Sequence, residues 1–351
     1  MEEIQINVGS LSSIEMLYYN ISPILKEIRK TAMEEKIPPR IIWDFRNIVE
    51  KKMNMATLTA FLSIAKSISN YFGKPSPILL RWNPSIIGFL YDISFFKNGL
   101  ELSIISVPKE MIGGFTPHTT NPNTKIVYYN EVPTIFDDKD SISVNQWKKK
   151  NRERISKSLI VSLGNIFSNN IFEKVWNDRF KYVLSNVAAE LAINSLLHGQ
   201  ETVFIGIQRS SVGISVSVCD SGIGFLNSMK TSNKWIKKID KTTNIKCLVY
   251  ASLWKEYDIG LKLVIDEITK NGGWVKMSSF DSEVKWEQKN WTSAKKIFDR
   301  ENFQIGKQEV NDILGPPEHA FFFQGKEKNG YYVIYPNSIR GSRIAFEIPF
   351  K

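Results

Sequence analysis

A chain of 351 residues, 42% hydrophobic and 23% charged, is long enough for two domains with their own cores and too apolar to be disordered. Its formal net charge of +10 would suit an acidic partner such as nucleic acid, nucleotide or an anionic surface, but the lysines are scattered as they are on solvated faces. Two cysteines, Cys219 and Cys247, with no Cys-x-x-Cys spacing, argue against a disulfide framework or a cysteine zinc site. Met1-Glu2-Glu3-Ile4 does not open a signal peptide, and no uncharged apolar run approaches the roughly 18 residues that span a bilayer. A cytoplasmic protein with no membrane partner is expected.

In chain order, Ile4–Val8 alternates as a strand, and residues 13–36 carry apolar side chains at helical spacing, with Pro23 either bending that helix or marking its start. Arg40–Phe45 reads as a buried strand, Met55–Tyr71 as an amphipathic helix stopped by Gly73-Lys74-Pro75, and Pro77–Trp82 as another strand. Asn83–Phe96 reads as a helix begun by an Asn-Pro cap, and Leu102–Val107 as a strand. This alternation predicts a small α/β sandwich. Ile41–Asp44 with the later Ser85–Phe96 helix resembles the STAS-like modules of bacterial regulators, over roughly residues 38–107.

Gly113–Pro133, rich in Gly, Pro, Thr and Asn, reads as a loop or hairpin region. The acidic run Asp137–Asp140 and the basic run Lys148–Arg154 place a domain boundary near residue 145, dividing the chain into 1–145 and 146–351. The basic run is read as a solvated helix face, because no aromatic residues are interleaved to stack nucleic-acid bases.

In the second half, Asn177–His198 reads as one long helix on which Glu190, Asn194 and His198 recur every four residues and form one polar stripe. Thr202–Arg209 and Gly213–Cys219 form a hairpin that runs into Asp220-Ser221-Gly222-Ile223-Gly224. A carboxylate ending a buried strand can accept a hydrogen bond from a ligand amino group, and the glycines let the backbone come close. Tyr257-Asp258-Ile259-Gly260-Leu261 opens a helix to Lys270, whose free N-terminal amides and dipole would suit phosphates. A strand over Trp274–Ser278, an insertion at about 280–335 holding Trp286, Trp291 and Phe321–Phe323, and a terminal strand Gly341–Pro349 follow. The aromatic residues of the insertion are read as core.

Together the Glu190-x-x-x-Asn194 helix, Asp220-x-Gly222-x-Gly224, the Gly260-Leu261 helix start and the closing strand resemble the GHKL (Bergerat-fold) ATPase superfamily, over about residues 175–280 and 330–351. Locally the likeness is nearest to the anti-sigma-factor kinases. The resemblance implies an α+β protein: a C-terminal two-layer α/β sandwich of the GHKL type, its mixed sheet covered by helices, with a small N-terminal α/β domain. It also implies the cofactors ATP and Mg²⁺. Asp220 would bind the adenine amino group, Gly222 and Gly224 would shape the base pocket, and Asn194 would hold the metal. Gly260 and Leu261 would offer amides to the phosphates, and Glu190 would act on the attacking water as the catalytic residue. His198 is read as structural or at the pocket rim.

Two positions depart from the family pattern: Asp258 stands where a glycine is usual, and Leu197 where many relatives carry a basic residue. Phe225–Tyr257 would be a lid, its Lys230, Lys234, Lys237, Lys238, Lys241 and Lys246 either facing phosphates or simply solvated. The expected function is a slow Mg-dependent ATPase whose nucleotide state controls conformation or the binding of a protein partner. A serine/threonine kinase of the anti-sigma type and a non-catalytic nucleotide sensor are the alternatives. A homodimer is left open, and nucleic acid is not favoured as a partner.

Overall fold

The computed structural model describes residues 3–9, 11, 13–34, 39–49, 53–112, 123–133, 141–167, 174–231, 243–254, 260–300, 310–314, 327–328 and 330–350. The first half alternates β1 (Glu3–Asn7), α1 (Ile14–Glu34), β2 (Arg40–Asp44), α2 (Met55–Phe72), β3 (Ser76–Leu79), α3 (Pro84–Asp92), α4 (Phe95–Glu101), β4 (Ile105–Ser106) and the short α5 (Lys109–Ile112). Its four strands pair in parallel in the order β1-β2-β3-β4. Local chemistry sets the helix limits. Asn54 caps α2 by accepting from the Ala56 amide at 2.8 Å, and Gly73, with φ 68°, closes it. α1 runs straight through Pro23. The helix expected over Asn83–Phe96 is two, because Ser94 takes a left-handed φ of 68° and ends the first at Ile93.

The second half contains β5 (Thr124–Tyr129), α6 (Ser141–Phe167), α7 (Lys174–Asn194) ending in a π turn (Ser195–Gly199), β6 (Val203–Arg209), β7 (Gly213–Asp220), α8 (Gly224–Thr231), α9 (Asn244–Leu253) and α10 (Leu261–Lys270). It closes with β8 (Trp274–Trp286), α11 (Gln288–Arg300), α12 (Val310–Leu314), β9 (Glu327–Lys328) and β10 (Tyr332–Pro349). A six-stranded sheet runs β5-β6-β7-β10-β8, with β9 on β10. All its pairings are antiparallel, not mixed as expected. β5 lies before the boundary drawn near residue 145 yet belongs to this sheet. The protein is thus α+β, with one parallel and one antiparallel sheet. Among the described residues no helix is long and apolar enough to cross a membrane.

Both faces of the antiparallel sheet are covered, because its strands are apolar on both. Val203, Ile205 and Ile207 of β6 and Ile214, Val216 and Val218 of β7 pack into a core with α7, α9 and α10. Phe204 and Cys219 point the other way, into the core built around Trp43, Phe61 and Phe95 of the first half. α2 is the layer between. It is apolar nearly all round, and its Thr59 Oγ1 accepts from the Ser217 hydroxyl of β7 at 3.1 Å. A Cβ on Gly206 of β6 would lie 2.1 Å from Thr59 Oγ1, so the absence of a side chain there sets how closely α2 seats on the sheet. Gly206→Val is expected to lower the unfolding free energy by about 2 kcal/mol, read from urea midpoints at constant slope. No change in midpoint would mean that α2 does not bear on the sheet at this point.

The insertion is partly an extension of the core. β8 continues to Trp286, and Trp286 and Trp291 stack edge to face at 5.1 Å, both fully buried. This bears out the reading of these two aromatics as core; Phe321–Phe323 lie outside the described residues.

Candidate functional site

A cleft of about 270 Å³ opens between α7, the end of β7, α8, α9 and the start of α10. Glu190, Asn194, Asp220, Gly224, Gly260 and Leu261 all line it. Residues that lie up to 71 positions apart in sequence therefore line one cleft.

Asp220 is the buried carboxylate of the cleft wall. It continues the parity of Ile214, Val216 and Val218, so its side chain faces α7, and it is 1% exposed. Its Oδ1 accepts from the Gly222 amide at 2.9 Å and from the Ser342 amide of β10 at 3.2 Å. Burial raises its pKa to about 6, a rise held in check by those amides, the Ser195 hydroxyl and the Arg343 charge. The glycines around it are close-approach positions. A Cβ on Gly222 would stand 2.2 Å from the Gly199 carbonyl oxygen, and one on Gly341, whose φ is +99°, 2.0 Å from the Asp220 carbonyl oxygen. Gly224, with φ +71°, turns the chain into α8 against Phe280 and Ser279. Gly222 itself packs on Gly199 and is not among the lining residues.

On α7, Asn194 donates from Nδ2 to Glu190 Oε1 at 3.4 Å, the i,i+4 contact of one helix turn. That leaves the Asn194 amide oxygen as its acceptor atom for a cation. Gly260 is extended and caps α10 without a side-chain bond, so the first amides of α10 open onto the cleft. His198 lies in the π turn, is exposed, and lines the rim. Asp258, Lys234, Lys237, Lys238 and Lys241, with His118 and His319, lie outside the described residues. Among the described residues no group of three or more His, Cys, Asp and Glu side chains could hold a metal ion.

No protein-family model, curated protein or solved structure matches this chain.

The basic run Lys148–Arg154 corrects one expectation. Lys149, Lys150 and Arg154 are exposed as a solvated face should be, but Lys148 and Arg152 turn inward. Arg152 Nη2 sits 2.6 Å from Glu190 Oε2, and Lys148 lines the cleft. The reason is helical spacing: Asn151, Ile155 and Leu159 bury one face of α6 against α7, and Lys148 and Arg152, four apart, flank that face. The apolar half of that pattern was visible in the sequence. Ser195, Trp254 and Ser342 also line the cleft and carried no motif signal.

Proposed function

We propose that this cleft binds Mg²⁺–ATP and that the protein is a slow ATPase of the GHKL type, its C-terminal half a GHKL-type domain. The observation that carries the reading is the buried carboxylate of Asp220, tied by two backbone amides in a cleft that is also lined by Asn194 and by the N-terminus of α10. Asp220 accepts from the adenine amino group, and Gly222 and Gly224 shape the base pocket. The Asn194 oxygen would hold Mg²⁺, which when bound would supply positive charge to neutralise the phosphates. Amides at Gly260 and Leu261 meet the phosphates, and Glu190 orients or deprotonates water.

A second reading, a nucleotide sensor without turnover, is favoured by one contact: the Glu190 carboxylate is already in an ion pair with Arg152.

Calorimetric titration tests the shared core of both. Wild type is expected to bind adenosine and ATP, and Asp220→Asn, which presents an amino group where an acceptor is needed, to lose roughly 100-fold in affinity for each. The pH dependence has a definite sign. Only the ionised carboxylate is a pure acceptor, so adenosine affinity is constant well above the Asp220 pKa of about 6 and falls as pH drops through it. Absence of adenine-nucleotide binding at millimolar concentration, or a pH-independent affinity between pH 8 and roughly 5, would sink the assignment.

A further inference from the structure

A cleft for a triphosphate needs positive charge, and α7 with its π turn lines this one with Glu190, Leu191, Asn194, Ser195, His198 and Gly199, none of them a lysine or arginine. Of the residues lining the cleft, Lys148 is the one lysine or arginine among those described. It comes from α6, which packs antiparallel to α7. The pairing is fixed by two contacts: the Ser156 hydroxyl meets Asn186 Oδ1 at 2.9 Å, and Arg152 meets Glu190 at 2.6 Å. Each four-residue step back along α6 is matched by a four-residue step forward along α7. One more step brings Lys148 level with Asn194, and its charge also acts on His198; Gly260, which opens α10, lines the same cleft.

The state of Lys148 is unusual for a lysine. It is half-buried, and among the described residues its amine makes neither a hydrogen bond nor an ion pair. Glu190, the nearest acidic candidate, is bridged by Arg152 instead. Burial pushes the Lys148 ammonium below its ordinary range; Glu190 draws it back up and Arg152 presses it down. A partly desolvated, unpaired ammonium is costly unless an anion arrives to meet it.

We propose that Lys148 is a phosphate-binding residue of the nucleotide cleft, reaching in from α6 to supply the cation that the lining residues of α7 lack, an assignment that rests on the ATP-binding reading above. Arg152 and Lys148 then divide the work, one neutralising Glu190 and the other the phosphates. As a compact point charge on a flexible stem, a lysine suits a phosphate whose position shifts between nucleotide states.

The test is a titration series with adenosine, AMP, ADP and ATP in the presence of Mg²⁺, on wild type, Lys148→Met and Lys148→Arg. Lys148→Met is expected to lower ATP affinity about 10- to 100-fold while changing adenosine affinity less than about twofold, and Lys148→Arg to recover most of the loss. The retained adenosine affinity also reports that the variant is folded. Equal losses for adenosine and ATP, or an unchanged ATP affinity in Lys148→Met, would overturn the role of Lys148 while leaving adenine binding in place. A wild type that binds none of the four ligands would overturn the ATP reading and this assignment together.

Discussion

Gly341→Ala is expected to destabilise the protein by about 3 kcal/mol or more and to remove nucleotide binding with it. Two independent penalties meet at this position. Its φ of +99° lies where L side chains are strained, and the added Cβ would stand 2.0 Å from the carbonyl oxygen of Asp220, a backbone atom that cannot rotate away. Relief requires β10 to separate from the end of β7, which breaks the Ser342 amide bond to the Asp220 carboxylate. Gly222→Ala attacks the same point from the other side, through the Gly199 backbone. Gly164 in α6 is the control: nothing lies near its Cβ position, so Gly164→Ala should stabilise by about 0.5–1 kcal/mol. Urea unfolding of the three variants separates the cases. If Gly341→Ala unfolds at the wild-type midpoint, the close stacking of backbone around Asp220 is not what builds this end of the cleft.

That stacking explains why part of the site was legible in sequence and part was not. Asp220, Gly222 and Gly224 are local: a strand end followed by glycines writes its own geometry, and the helix Leu261–Lys270 was delimited by Gly260 before it and Asn271-Gly272-Gly273 after it. The sequence reads Gly341 only as the start of a strand. β10 in fact begins at Tyr332 and passes Gly341 in mid-strand at a register irregularity, a non-local consequence of Asp220 lying beside it. The seating of α2 against Gly206 was equally hidden. Periodicity marked one apolar face on α2, but its second face is buried by a sheet more than a hundred residues away. Basic runs are the general case of this blindness. Charge counts treat Lys148, Lys149, Lys150, Arg152 and Arg154 alike, whereas a helix sends them in different directions: Arg152 meets Glu190 of α7, Arg154 meets Glu131 beyond β5, and Lys148 turns into the cleft.

The ion pair that results yields the other large effect. Arg152→Met strands the Glu190 carboxylate, whose side chain is only 6% exposed, and is expected to cost about 3 kcal/mol, while combining it with Glu190→Gln removes both charges and should cost far less than the two single changes added together. The double-mutant cycle gives the coupling through unfolding free energies. A near-zero coupling would show that Arg152 does not hold Glu190. Phosphate release on the same variants then divides hydrolysis from sensing. If Glu190 serves as the base, Glu190→Gln lowers turnover by about 10²-fold or more with ATP affinity little changed, because a neutral amide cannot take a proton. Turnover that is already negligible in wild type, and unaltered in Glu190→Gln, points to the sensor. In that case the Arg152–Glu190 pair is a fixed strut between α6 and α7, and the nucleotide acts through the helices that the strut joins.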